Sequence, residues 1–211
     1  NIINRSLHIL KVHPVNRKRE NDGKAPANSI WLWGQGRAPE MPKIKERYGI
    51  DGSIISAVDL MKGLGIYAGL RVVEVPGVTG YIDTNYKGKV EYALGELNER
   101  DLVCVHVEAP DEAGHKGNLK DKIKAIEDFD HEVVGRVMDS LKASEDYRFL
   151  VLCDHATPLS LRTHTDEPVP FIIYPPVGGE GKGGSVYSED DAGKSGFFIE
   201  EGYRLLDLLL K

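Results

Sequence analysis

The chain has 211 residues, of which 41% are hydrophobic and 28% are charged, a balance that suits one soluble globular domain with a sizeable core. Its 33 Asp and Glu residues outnumber the 27 Lys and Arg residues and give a net charge of −6, so the chain lacks the basic surface typical of nucleic-acid-binding proteins. The longest apolar runs are too short to span a bilayer, and we therefore expect neither nucleic acid nor a membrane as a partner.

The first fifty residues predict two helices and one strand. Apolar residues between Ile2 and Leu10 recur at helical spacing, whereas residues 13–28 are polar and basic and contain Gly23 and two prolines, which is typical of a loop. The predicted elements are, in chain order, a helix through Leu10, an extended loop over 13–28, a strand over 29–33, a tight loop over 34–37 and a short helix over 44–48 that ends at Gly49.

From residue 52 onward, short apolar runs alternate with helical patterns. Strands are predicted over 52–56, 70–75, 102–107 and 149–153, and helices over 57–65, 86–97, 119–142 and 197–210. The apolar stripe of the 119–142 helix is expected to pack in the core, and the glycine-rich segment 178–184 is expected to form a flexible surface loop. The alternation favours a single α/β domain over residues 1–211, with a mostly parallel sheet and helices on both faces.

The two cysteines and the N-terminus bear on the cellular compartment. Cys104 and Cys153 lie in predicted strands far apart in the sequence, so we expect small buried side chains with reduced thiols and no disulfide. No signal-like segment precedes them, and the cytoplasm is the simplest location. The chain begins without Met and already within a helical pattern, which favours a piece of a longer protein.

Three short clusters carry side chains that can bind metal ions. Asp111 and His115 lie in P-D-E-A-G-H, Asp154 and His155 in C-D-H-A-T-P, and His164 in R-T-H-T. The first two clusters begin within a few residues of a predicted strand end, and the carboxyl edge of a parallel sheet is where binding sites form. A lone Asp-His pair is more often a turn with a helix cap, but three clusters together predict a binuclear site for divalent ions such as Mn, Zn or Co.

The whole chain is similar to one known family. It resembles the cofactor-independent phosphoglycerate mutases of the archaeal type, which belong to the alkaline phosphatase superfamily. The motifs that carry the resemblance are H-P-V-N at 13–16, P-A-N at 26–28, W-G-Q-G-R at 33–37, K-G-L-G-I-Y at 62–67, V-T-G-Y-I-D-T-N-Y at 78–86, V-E-A-P-D-E-A-G-H at 107–115 and D-H-A-T-P at 154–158.

The resemblance implies an alkaline-phosphatase-like fold and the interconversion of 2- and 3-phosphoglycerate through a phosphoserine. It implies two divalent metal ions (Mn, Zn, Co or Mg) and a small phosphorylated substrate. By position in the motifs, one ion would be held by Asp111, His115 and His164, and the other by Asp154 and His155 together with residues outside this chain.

Three cations are candidates for contact with the substrate. The resemblance places Lys62 near the phosphoryl group, where an ammonium would neutralise developing charge; the alternative is a solvated helix lysine, which the glycine-flanked turn predicted at this position disfavours. Arg37 is a candidate bidentate clamp for a phosphate or carboxylate, with an ordinary surface arginine as the alternative, and Arg19 is a weaker candidate.

The chain departs from the family pattern in one respect. Family members carry the nucleophilic serine and a further metal-binding aspartate in an N-terminal segment, and neither Ser56 nor Ser160 matches that setting. We therefore expect a C-terminal portion that lacks the nucleophile segment and the inserted substrate-binding domain, and that is inactive alone. The alternatives are a metal-dependent phosphomonoesterase or other phosphotransferase of the same superfamily, and a non-enzymatic metal-binding domain.

Overall fold

The computed structural model describes residues 1–32, 34–144, 146–175 and 186–210. These residues form two compact units, residues 1–40 and residues 41–211. Among the described helices none is both long and apolar enough to cross a membrane. The single-domain arrangement stays a prediction.

The first unit contains two helices, α1 (Ile2–Val12) and α2 (Pro14–Asn21). The first confirms the predicted helix, whereas the second replaces part of the loop predicted over 13–28. Proline is well suited to the first turn of a helix, because its missing N–H has no intrahelical partner there, and the side chain of His13 caps the same end. The strand predicted over 29–33 is wrong for residues 29–32, which pair with no strand, and its last residue lies outside the described residues.

Asn16 holds the first unit together. Its Nδ2 donates to the carbonyl oxygens of Leu10 and Ala27, both at 2.8 Å, and its Oδ1 accepts from the Ala27 amide at 2.9 Å. The side chain is buried, so these bonds replace water that it cannot reach. The H-P-V-N and P-A-N motifs are therefore two halves of one hydrogen-bonded contact.

Replacement of Asn16 by alanine is expected to lower the stability of this unit by about 1–3 kcal/mol, because a buried side chain that makes three hydrogen bonds to the backbone of Leu10 and Ala27 is lost. Hydrogen exchange at the Ala27 amide would measure the loss. Arg17→Ala, at an exposed neighbouring position, is the control. Equal exchange rates in the two variants would contradict the prediction.

The second unit is built on a parallel sheet. Its strands are β1 (Gly52–Ile55), β2 (Arg71–Val72) and β3 (Leu102–Val105), in the order β2-β1-β3, with Gly52 opposite Leu102 and Ile55 opposite Val105. The helices around it are α3 (Ile44–Tyr48), α4 (Asp59–Tyr67) and α5 (Tyr86–Glu96). As predicted, α3 ends at Gly49, whose φ of 74° belongs to the left-handed region.

Helices cover both faces of this sheet, as the sequence predicts. Ile55 packs with Val73, Val75 and Ala93, the last of which lies on α5. Ile54 points to the opposite face and lies so close to Gly65 of α4 that a Cβ there would be 2.5 Å from its Cγ2. The absence of a side chain at Gly65 thus lets α4 approach β1.

The predicted helix over 119–142 is present but not regular. It consists of α7 (Leu119–Asp128), a π-helical turn (Phe129–Gly135) and α8 (Arg136–Leu141). The prediction of a core stripe is correct for Val133 and Val137, which pack against α5, but wrong for the α7 half, where Leu119, Ile123 and Ile126 are exposed. On α7 the buried residue is the small Ala125, and this helix packs against α6 (Ala109–Lys116).

The remaining elements are α6 (Ala109–Lys116), β4 (Phe149–Leu152), β5 (Phe171–Tyr174), α9 (Glu189–Lys194), a 3-10 turn (Gly202–Arg204) and α10 (Leu205–Leu209). The strands β4 and β5 pair antiparallel. The helix predicted over 197–210 is wrong before residue 202, and the loop predicted over 178–184 lies outside the described residues.

The two cysteines carry free thiols, as predicted, but both are exposed rather than buried.

Candidate metal centre

The helix α6 presents the first two predicted ligands. It begins four residues after β3 ends, and Asp111 and His115 lie one turn apart on it, so their side chains share a face. The helix ends at Gly117, whose φ of 65° is in the left-handed region. Both ligands are half-buried.

The loop over residues 154–165, which follows β4, presents the other three. Its two ends are joined by an antiparallel bridge between Ala156 and Thr165. The rings of His155 and His164 are stacked with their centroids 3.7 Å apart. The sequence predicts that the strand ends bring these clusters together, and the structure places the loop against α6.

Three of the predicted ligands form a tight triangle. The Nε2 atom of His115 is 3.3 Å from Oδ2 of Asp111 and 3.0 Å from Nε2 of His164, which in turn is 3.4 Å from Oδ1 of Asp111. Metal–ligand bonds of about 2.0–2.2 Å in tetrahedral geometry would separate neighbouring ligand atoms by roughly 3.3–3.6 Å. The two distances to Asp111, each to a different oxygen, fall in this range, whereas the distance between the two histidines is shorter. The donor set itself, one carboxylate and two imidazoles, suits a divalent ion.

The two other predicted ligands extend this cluster. Ligand atoms of Asp111, His155 and His164 all lie within 4.8 Å of one another, so His155 is close to both. Asp154 is more exposed, and its Oδ2 is 3.3 Å from Nε2 of His155. The structure thus brings all five residues into one continuous set of contacts. Their division between two ions stays a prediction.

A backbone carbonyl orients His115. Its Nδ1 is 2.9 Å from the carbonyl oxygen of Arg162, which can only accept, so Nδ1 carries a proton. In the neutral imidazole, Nε2 then presents a lone pair to Asp111 and His164. Lone pairs at such short distances repel unless a cation or a proton lies among them. Arg162 itself has φ 55°, which is uncommon for a residue other than glycine.

The predicted substrate-binding cations are placed as follows. Lys62 lies within α4 and not in a turn, and its Nζ bonds both carboxylate oxygens of Glu74, at 2.9 and 3.0 Å. In the first unit, the Nε atom of Arg19 donates to the carbonyl of Ala25 at 2.9 Å, and Arg37 is exposed. Their roles toward a substrate stay predictions.

A further group of polar residues was not predicted. Ser56 and His106 each lie one residue beyond a strand, and the Oγ atom of Ser56 is 3.0 Å from Nδ1 of His106. The Nζ of the buried Lys89 donates to the His106 carbonyl at 2.7 Å. Burial lowers the pKa of His106, against the nearby carboxylate of Asp154. The sequence could have indicated this pair, because residues just beyond the carboxyl ends of β1 and β3 lie at one edge of the sheet.

Lys89 is expected to make stability depend on pH. Burial lowers its pKa from 10.5 to about 8, against the carboxylate of Glu108. Between these values the unfolded chain binds more protons than the folded one, so the free energy of unfolding should rise from about pH 8 to about pH 10. Urea unfolding at both pH values should show this rise weakened in Lys89→Met and retained in Lys87→Met, whose lysine is exposed. Identical pH dependence of both variants would refute it.

Comparison with known proteins agrees with the family resemblance of the sequence. Residues 3–195 match the metalloenzyme superfamily. The chain is 52% identical, over 99% of its own length, to a probable 2,3-bisphosphoglycerate-independent phosphoglycerate mutase of Geobacter sulfurreducens, and 51% identical, over 100%, to such a mutase of Methanosarcina acetivorans. It covers 52% and 53% of those proteins. The chain therefore spans about half the length of the curated relatives it matches.

Two solved structures are also similar. A Pyrococcus horikoshii protein aligns with a TM-score of 0.72 and 32% identity over 81% of this chain and 45% of that one. The cofactor-independent phosphoglycerate mutase of Thermoplasma acidophilum aligns with a TM-score of 0.60 and 26% identity over 99% of this chain and 49% of that one. Both agree with the α/β fold predicted from the sequence.

Proposed function

Since the chain belongs to the metalloenzyme superfamily, we propose that it contributes the metal centre of a phosphoglycerate mutase that works without 2,3-bisphosphoglycerate. The observation that carries the proposal is the triangle of Asp111, His115 and His164, with ligand atoms 3.0–3.4 Å apart. The names of the relatives support the substrate, which would be 2- or 3-phosphoglycerate.

The five candidate ligands would bind two divalent ions, Mn, Zn, Co or Mg. Asp111, His115 and His164 would hold one, and Asp154 and His155 would contribute to the second. Bound together, such ions neutralise charge on a phosphoryl group and lower the pKa of a nucleophilic hydroxyl. The nucleophilic serine, a further metal-binding aspartate and a substrate-binding domain would belong to a part of the protein outside these residues. A cytoplasmic location is part of the same proposal.

Three cations of this chain would contact the substrate. Lys62 is mostly buried and held by Glu74, so its ammonium is already ordered and would stabilise charge on the phosphoryl oxygens. Arg37 would bind the phosphate or carboxylate through two parallel hydrogen bonds, with Arg19 as a weaker contact.

The test is a chimera. This chain replaces the segment of the Methanosarcina acetivorans mutase that it matches, which supplies the rest of a complete enzyme. The chimera should interconvert 2- and 3-phosphoglycerate without added 2,3-bisphosphoglycerate and should lose activity on chelation. Release of inorganic phosphate instead would favour a phosphomonoesterase, and metal binding without turnover would favour a non-enzymatic domain.

In the same chimera, Lys62→Ala is expected to leave the affinity for Mn²⁺ unchanged while kcat falls about 100-fold, because a donor that stabilises the transition state is lost. Calorimetry and steady-state assays give the two values. The control is Lys45→Ala, which removes a lysine paired with Asp51 on the surface. A kcat equal to that of the control would assign Lys62 to structure alone.

A further inference from the structure

We infer that Thr157 is a positioning residue, whose hydroxyl orients Asp111 for the metal ion and joins the 154–165 loop to α6. The inference rests on the proposed metal role of Asp111. Thr157 would thus affect the affinity for the metal ion without binding the ion itself.

The hydroxyl of Thr157 lies between two of the ligands. Its Oγ1 donates a short hydrogen bond to Oδ1 of Asp111, since a carboxylate can only accept, and it is 3.4 Å from Nδ1 of His155. The lone pairs of Oγ1 remain available to an Nδ1–H of His155. That arrangement would leave Nε2 of His155 as the free metal-binding atom, in the same way that the Arg162 carbonyl frees Nε2 of His115.

The burial of Thr157 excludes water from its contact with Asp111. Only 5% of its surface is exposed, so water cannot replace the hydroxyl as a partner of Asp111. Oδ1, the oxygen that it binds, is also the one that faces His164, whereas Oδ2 faces His115. The bond therefore fixes the rotation of the carboxylate that directs one oxygen to each histidine.

The backbone of Thr157 is fixed from two sides. Its carbonyl accepts a hydrogen bond from Nζ of Lys122 on α7. Gly114, which lies between the two ligands on α6, approaches the same carbonyl so closely that a Cβ there would be 2.7 Å from the oxygen. The hydroxyl is thus held in position by α6 and α7 before any ion binds.

The alternative is that Thr157 fills space through its methyl group, and the chain offers variants that separate the two roles. Thr157→Val keeps the shape and removes the hydroxyl, Thr157→Ser keeps the hydroxyl and removes the methyl, and Thr157→Ala removes both. Thr163→Val is a matched control, because this exposed threonine of the same loop makes no side-chain hydrogen bond to the described residues.

The experiment is calorimetric titration of the metal-free chimera and its variants with Mn²⁺, with thermal unfolding of each metal-free protein alongside. Loss of a group that orients a ligand typically costs 10–100-fold in metal affinity. We expect a loss of about that size in Thr157→Val and Thr157→Ala, and near-parental affinity in Thr157→Ser and Thr163→Val.

Two results would overturn the inference. If Thr157→Ser loses as much affinity as Thr157→Ala, the methyl group and not the hydroxyl is responsible. If all Thr157 variants bind Mn²⁺ as the parent does, the hydroxyl does not position Asp111. Both outcomes leave the proposed function intact, whereas a parent chimera that binds no divalent ion would overturn the metal centre and the inference together.

Discussion

Replacement of His164 by alanine is expected to reduce the affinity for Mn²⁺ by about 100-fold or more, beyond the 10–100-fold range typical of groups that only orient a ligand. Its Nε2 completes the triangle, 3.0 Å from Nε2 of His115 and 3.4 Å from Oδ1 of Asp111. With two protein ligands left, the site should hold an ion only weakly. Calorimetric titration of the chimera measures the change.

A matched control is His131→Ala, in which a histidine with 83% of its side chain exposed is lost from the π-helical turn. Because this ring lies on the surface and its ion-pair partner among the described residues is the neighbouring Glu132, its removal should leave both the affinity and the binding stoichiometry unchanged. Equal effects of the two substitutions, or an unchanged affinity in His164→Ala, would show that His164 is not a ligand.

The placement of the ligands was predictable because it depends on local patterns. Apolar runs at 52–55, 102–105 and 149–152 form strands where the sequence predicts them. The candidate metal-binding clusters follow the last two of these runs. Because β3 and β4 lie in different sheets, the contact between α6 and the 154–165 loop depends on packing and not on a shared sheet edge.

The helix that carries two ligands was missed for a reason that can be named. The segment A-P-D-E-A-G-H-K of α6 contains a proline and a glycine, both of which count against a helix interior. Its proline, however, lies in the first turn, where it costs nothing; Asp111 and Glu112 follow it there, and Gly117 ends the helix. These residues at the two ends of α6 favour a helix more strongly than its proline and glycine oppose one.

The groups that orient the ligands could not be found in this way. Thr157 bonds a carboxylate 46 positions earlier in the sequence, and the Arg162 carbonyl bonds a ring 47 positions earlier. Such pairs arise when two separately folded segments meet, and no local periodicity or spacing encodes them. The same holds for Asn16, whose partner Ala27 lies beyond the end of α2.

The largest effect on activity is expected from His155→Ala in the chimera, where kcat for mutase turnover should fall by at least about 10³-fold. An ion that stabilises charge on a transferring phosphoryl group contributes several kcal/mol to the transition state, and each 1.36 kcal/mol corresponds to about tenfold in rate. His155 lies within 4.8 Å of the ligand atoms of Asp111 and His164 and beside Asp154, so its loss removes a donor of the second proposed ion. Coupled assays in both directions measure the rate.

Asp154→Asn should have a comparable effect on turnover, because a neutral amide beside His155 is a poorer metal ligand than a carboxylate. Asp166→Asn is the matched control, since this exposed aspartate forms no ion pair with the described residues. Metal titration of each variant separates loss of an ion from loss of chemistry. If His155→Ala and Asp154→Asn both turn over at the rate of the control with metal saturating, the second half of the centre is not formed by these residues. Retained phosphate release without mutase activity would instead show that the ions still activate the phosphoryl group but no longer hold it for return to glycerate.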